Sequence, residues 1–205
     1  MTLYDNKTKT IFAATFVIML GISTSSAYAA HPLPTEYVFS SANKSVCYQM
    51  TALGTVKVNG QTGQATLLKS EVEVARQHVD SNTDINIAFD SVCNSGDNQI
   101  SAQYYQDTNI NGVTQAFNVG QPSLYKIIWY NNNGAKNYST SSICTVGQDV
   151  SPRFIANHEF GHFAGLKHPN NEWLVPSGHT MMKSFCSNDY AAIKIDDKNQ
   201  INGLY

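Results

Sequence analysis

Three histidines and a glutamate fall within one short stretch of this 205-residue chain, where residues 158–168 read His158-Glu159-Phe160-Gly161-His162-Phe163-Ala164-Gly165-Leu166-Lys167-His168, or HExxHxxGxxH. Histidines four residues apart on a helix project from one face a turn apart, so both imidazoles can grip one ion from the same side. Gly165 lets the backbone turn out of the helix and swing His168 back as a third nitrogen donor. Three neutral imidazoles at tetrahedral corners suit zinc and leave one corner for water, the open position that separates a catalytic site from a closed structural one. Bound zinc brings the pKa of its water down to about 7 and polarises a carbonyl as a Lewis acid. Glu159, next to His158, is placed to act as general base toward that water and then to hand the proton to a leaving amine. With ordinary composition the full pattern arises by accident in roughly one chain in 10⁵ of this length, whereas HExxH alone does so in somewhat under ~1 in 100.

A helix must carry these groups, and its start is legible. Ser151 is a capping residue and Pro152 suits the first helical position, so a helix is expected from there to about Ala164, with Gly165 stopping it. Upstream, Leu68, Val72, Ala75 and Val79 fall at spacings of four, three and four, which predicts a second helix over residues 65–80 with one apolar stripe. Ile85, Ile87 and Phe89 alternate with Asn86 and Ala88, the period of a strand with one face in the core. Further strands are expected at residues 37–39, 46–50 and 55–58, at 99–106 and 113–119 around a loop near Gly112, and at 124–130, the most buried of them. Asn59-Gly60 and Asn133-Gly134 read as turns.

The signature of residues 158–168 resembles that of the metzincin zinc endopeptidases. That clan sets a methionine turn beneath the metal, and Gly178-His179-Thr180-Met181-Met182-Lys183-Ser184 looks like that turn, with Met182 the preferred methionine and Met181 the alternative. Asp196-Asp197, Ile201 and Leu204-Tyr205 are similar to the DDxxxIxxLY pattern that closes matrixin catalytic domains as a final helix, and the helix and strand of residues 65–89 are similar to the first helix and strand of that group. The resemblance implies an α+β, metzincin-like zincin fold, a twisted mixed β-sheet with an active-site helix and a carboxy-terminal helix. It also implies peptide-bond hydrolysis, with His158, His162 and His168 as the metal ligands and Glu159 as the catalytic residue. Pro169 after the third histidine is serralysin-like where matrixins carry serine, and Ser184 stands where astacins and serralysins have a tyrosine that approaches the metal.

Residues 1–29 read as a secretory signal peptide, with Lys7 and Lys9 ahead of an apolar run over residues 11–22 and small residues at Ala27 and Ala29 before the cut. The catalytic domain would then be residues 30–205, secreted or periplasmic. Export makes disulfides of Cys47, Cys93, Cys144 and Cys186. Three connectivities are open, with Cys47–Cys93 and Cys144–Cys186 preferred. Asp107-Thr108-Asn109-Ile110-Asn111-Gly112 has the look of a Ca²⁺ loop, but it offers one carboxylate, and a hairpin turn is the favoured reading. The resemblance also implies that residues 112–120 are an edge strand able to pair with an extended peptide. His31, His78 and His179 are read as surface or core histidines, and Trp129 and Trp173 as either core or pocket aromatics.

Thirteen basic and 15 acidic residues leave a formal net charge of -2, so no electrostatic footprint for nucleic acid or an anionic membrane exists. With 42% hydrophobic and 11% aromatic residues the chain can bury one sizeable core. The expected partner is a peptide or protein substrate, with no nucleic acid, no membrane after signal cleavage, and a monomeric state. Two other functions fit the same residues: a zinc hydrolase of another amide, such as a cell-wall peptide cross-link, and an exported binding or adhesion module stabilised by zinc.

Overall fold

The structure is a computed structural model and describes residues 43–49, 57–63, 65–94, 97–104, 112–117, 124–131, 137–140, 151–175, 178–183 and 192–205. The expected signal peptide, the strand at 37–39, the Asn133-Gly134 turn, Cys144, Cys186, Ser184 and residues 107–111 lie outside the described residues. Among the described residues eight strands and three helices follow in the order β1 (Asn43–Gln49), β2 (Lys57–Val58), β3 (Gln61–Thr62), α1 (Ala65–Asn82), β4 (Asn86–Asp90), β5 (Asn98–Tyr104), β6 (Gly112–Phe117), β7 (Leu124–Asn131), β8 (Asn137–Tyr138), α2 (Pro152–Phe163) and α3 (Ile195–Asn202), with a 3-10 turn at Glu172–Leu174. Among these residues no helix is long and apolar enough to cross a membrane.

The larger sheet runs β4-β1-β5-β7-β6, parallel except for β6, which returns antiparallel along β7 with Thr114 opposite Ile127. A smaller sheet, β3-β2-β8, is closed by a tight turn in which Asn59 and Gly60 both take positive φ (51° and 78°), the backbone that favours an Asn-Gly pair. The architecture is α+β with a mixed sheet. One expectation is corrected here: β5 and β6 are not hairpin partners, because β7 lies between them. Among the described residues β6 is instead the sheet edge, paired on its β7 side.

Leu68, Val72, Ala75 and Val79 form the buried stripe of α1 and share one continuous core with Val46, Ile87 and Ile100 of the sheet and Ile155, Ala156, Phe160 and Phe163 of α2. Complete burial of a side chain the size of Phe160 or Phe163 contributes about 2–3 kcal/mol, so the helix that bears the histidines is anchored by its opposite face. Arg153 ties α2 to α1 through Glu71, with Nε 2.8 Å from Oε2. The guanidinium of Arg76 likewise joins α1 to β4, pairing with Glu73 and donating to the carbonyl of Ile87. The alternation of β4 buries Ile87 fully but leaves Phe89 37% exposed; β4 is the other edge of the sheet among the described residues, and there Phe89 meets Tyr48, with ring centroids 4.9 Å apart, and the Lys69 ammonium. Cys47 and Cys93 are bridged, and their sequence separation of 46 closes a loop enclosing α1 and β4. In a chain-entropy account a loop of this length contributes about 4 kcal/mol.

Candidate metal centre

Helix α2 begins as its sequence predicts. Ser151 lies in extended backbone (φ -68°, ψ 124°), its hydroxyl accepts from the Phe154 N–H, and Pro152 occupies the first turn. Its end is a Schellman motif: Gly165 N–H donates to His162 O and Leu166 N–H to Gly161 O, both at 2.9 Å, with Gly165 at φ 97°. A β-carbon is strained in that conformation, so glycine is required there. The reversal turns the chain back over the helix and delivers His168 to the face that carries His158 and His162.

The three rings meet. His168 Nε2 lies 3.0 Å from His158 Nε2 and 3.1 Å from His162 Nε2, and one ligand atom from each ring lies within 4.8 Å of the others. The outer nitrogens define the tautomers. His158 Nδ1 is 2.8 Å from Met181 O and His162 Nδ1 is 2.8 Å from Leu166 O. A carbonyl only accepts, so both Nδ1 atoms carry the proton and both Nε2 atoms present lone pairs. His168 Nε2 can offer at most one proton to the two of them, which leaves lone pairs facing each other at about 3 Å unless a cation lies among them. Tetrahedral corners around an ion with metal–nitrogen distances of about 2.0–2.1 Å are about 3.3–3.4 Å apart, close to the separations found. The residues therefore fit a metal ion. Burial pushes His158 down to about 3, helped by His162 and His168 and opposed by the bond to Met181 O; burial also pushes His162 down to about 4. Both rings are neutral, and ready to donate lone pairs, throughout the physiological range.

Glu159 points away from bulk water and is only 3% exposed. Thr114 Oγ1, on the edge strand β6, donates to Glu159 Oε2 at 2.7 Å and lies 3.0 Å from the Glu159 carbonyl. Burial raises the Glu159 carboxyl to about 7, against the opposing pull of the Thr114 bond. A carboxyl poised near neutrality can both take and return a proton.

Beneath the rings lies the 178–183 segment, which Gly178 enters at φ 81°. Met181 and Met182 are both buried, but they differ in role. Met181 supplies the carbonyl that orients His158, whereas Met182 packs its thioether against α2 at Gly161. Asp197 of α3 fixes this segment. Its carboxylate accepts from Thr180 Oγ1 at 2.5 Å, Met181 N–H at 2.8 Å and Lys194 N–H at 3.0 Å, while Thr180 Oγ1 accepts from Met182 N–H at 2.9 Å. Helix α3 thus reaches the three-histidine cluster through one carboxylate. Sequence reading placed Asp197 in a pattern without assigning it this task, and gave no hint of Thr114, 45 residues from Glu159 along the chain. His179 turns away from the centre to Asp196 Oδ2 at 3.3 Å, His78 accepts from the Ile193 N–H, and Trp173 is 86% exposed, which removes it from the core.

Removing the Asp197 carboxylate by Asp197→Ala leaves three donors unanswered in a fully buried place and is expected to destabilise the metal-free chain by about 2 kcal/mol, read from urea unfolding in chelator. Asp197→Asn keeps one acceptor and is expected to lose less. Burial, aided by Asp196, raises Asp197 to about 6 from an ordinary 3.8 despite its three donors. The folded state therefore holds that proton more tightly than the unfolded chain. Its stabilising effect is complete below about pH 4 and is lost as pH rises through 6, so the native chain should gain about 2–3 kcal/mol over Asp197→Asn between pH 7 and pH 4. A pH-independent difference between the two proteins would contradict that assignment.

No family model and no curated protein matches this chain. Its fold has counterparts among solved structures: 63 chains match, and one of them, in the structure described as "GM1 bound form of the ECX AB5 holotoxin", aligns at a TM-score of 0.53 with 12% identity over 85% of this chain and 86% of that one. At that identity the likeness is one of fold, and the chemistry rests on the residues above.

Proposed function

We propose that the chain is an exported zinc-dependent endopeptidase of metzincin type, in which His158, His162 and His168 hold the metal and Glu159 is the catalytic base. The observation that carries this reading is the convergence of three imidazole Nε2 atoms, with the Nδ1 atoms of His158 and His162 committed to carbonyls, beside a buried carboxyl near neutrality. When bound, zinc supplies an acidified water and an electrophile for the scissile carbonyl. Glu159 does the proton work: Thr114 holds Oε2, leaving Oε1 to take the proton from the attacking water and give it to the amine that leaves. A dication nearby favours the charged carboxylate and lowers it from its metal-free value. Among the described residues β6 is the terminal strand of its sheet, and an extended peptide pairing along it would lie beside the residue that holds the base. A purely structural zinc site has no use for such a base. The Cys47–Cys93 bridge is in keeping with an oxidising compartment.

Digestion of a proteome-derived peptide library with and without chelator tests the reading directly. Chelator-sensitive cleavage is expected. Absence of cleavage by a zinc-loaded, folded chain would favour the binding module, and cleavage confined to peptidoglycan cross-links would favour the cell-wall hydrolase. In the same assay Thr114→Val should lower kcat about 10- to 100-fold, the worth of a hydrogen bond to a charged group, with zinc retained, while Thr114→Ser should stay near the native rate. Equal losses in both variants would remove the hydroxyl from the mechanism.

A further inference from the structure

Two of the three histidines have their outer nitrogens fixed by main-chain carbonyls, and the third has a different neighbour. His168 lies beyond the Schellman turn, outside the helix that carries the other two rings. Its Nδ1 faces Glu172 Oε1 at 3.9 Å, from a side chain four residues on in the 3-10 turn Glu172–Leu174. Within that turn the burial is uneven. Trp173 and Leu174 are 86% and 72% exposed, yet the Glu172 side chain is only 15% exposed and is turned inward toward the imidazole. The Glu172 carbonyl, by contrast, serves the turn itself, accepting from the Val175 N–H at 3.3 Å.

We propose that Glu172 is the positioning residue for His168, its carboxylate accepting the Nδ1 proton so that Nε2 presents its lone pair to the metal. The proposal rests on the reading of the three histidines as metal ligands. A small rotation of the carboxylate, or one bridging water, converts the 3.9 Å approach into a hydrogen bond. Two consequences follow from the chemistry. The tautomer of His168 becomes the same as that of His158 and His162, so all three Nε2 atoms are acceptors together. The negative charge, held one imidazole away from the ion, also makes that ring a stronger donor, as outer carboxylates do for histidine ligands of zinc. Glu172 is therefore neither a ligand nor a base; it acts through His168.

The test is zinc affinity of the full-length oxidised chain, measured by competition with a chromophoric chelator, so peptide cleavage plays no part in the readout. Glu172→Ala should weaken zinc binding about 10- to 100-fold, and Glu172→Gln, which keeps an acceptor without the charge, should weaken it less. In a His168→Ala background Glu172→Ala should have no further effect. Native-like affinity in Glu172→Ala overturns the proposal, and so does an equal loss in the presence and absence of His168, since a merely structural role would give that result. If the native chain takes up no zinc, the metal-centre reading falls and this inference with it; if the native chain binds zinc and only the variants fail to respond, the inference falls alone.

Discussion

Glu159→Gln is expected to lower peptide hydrolysis by at least about 10³-fold while zinc remains bound at native stoichiometry. The amide has nearly the shape of the carboxylate, so Gln can accept the Thr114 hydroxyl through its carbonyl and leave α2, the histidines and β6 in place. What it lacks is a lone pair basic enough to take a proton at neutral pH. Folding should change little, because a residue 3% exposed with a metal-free carboxyl near 7 is already half-way to neutral before metal binds. The contrast with His162→Ala separates two kinds of loss. That variant should lose zinc and activity together, and added zinc should restore part of the rate, whereas no zinc concentration should rescue Glu159→Gln. Activity within tenfold of native in Glu159→Gln, with the metal bound, would remove the base from this glutamate and with it the hydrolase reading.

How far such a site can be read from sequence depends on how local its parts are. The helical pair His158 and His162, the glycine that ends the helix and the returning His168 all lie within one turn-and-a-half of helix and its exit, so spacing alone brings them together. Helix α1 was equally legible, since its stripe of Leu68, Val72, Ala75 and Val79 needs no partner to be recognised. The preferred Cys47–Cys93 bridge is found as well. The groups that tune the site are of another kind. Thr114 reaches Glu159 only because β7 enters between β5 and β6 and turns β6 into an edge over α2, an arrangement no periodicity encodes. The Met181 and Leu166 carbonyls are main-chain groups, invisible in any motif. Phe89 kept the alternation of its strand but not the burial, because alternation fixes the face a side chain points to and not whether anything covers that face.

Gly161 lies inside the eleven-residue pattern at a position the pattern leaves open, and the structure assigns it a strict steric role. Gly161→Val is expected to destabilise the chain by about 3–5 kcal/mol, the range of severe core overpacking combined with displaced neighbours. A Cβ at this point would fall inside van der Waals contact of Met182 Sδ, 3.0 Å from Met181 Cε and 3.3 Å from Met182 Cε. Both methionines are at most 1% exposed, so neither side chain has solvent to move into. Helix propensity works in the other direction, since replacing glycine in a helix interior by alanine gains about 1 kcal/mol. Gly161→Ala should therefore be milder than Gly161→Val, a net loss of about 1–2 kcal/mol. The damage should also reach the three-histidine cluster, because pushing Met182 down moves Met181, whose carbonyl orients His158. A double substitution decides whether the thioether is the obstacle. Met182→Ala alone opens a cavity worth about 2–4 kcal/mol, but combined with Gly161→Ala the added methyl enters that space, so the pair should be less destabilised than the sum of the singles by at least 1 kcal/mol or so. Strict additivity in urea unfolding would mean that the helix and the methionine segment are not in contact here, and the close approach of α2 to Met182 would have to be abandoned.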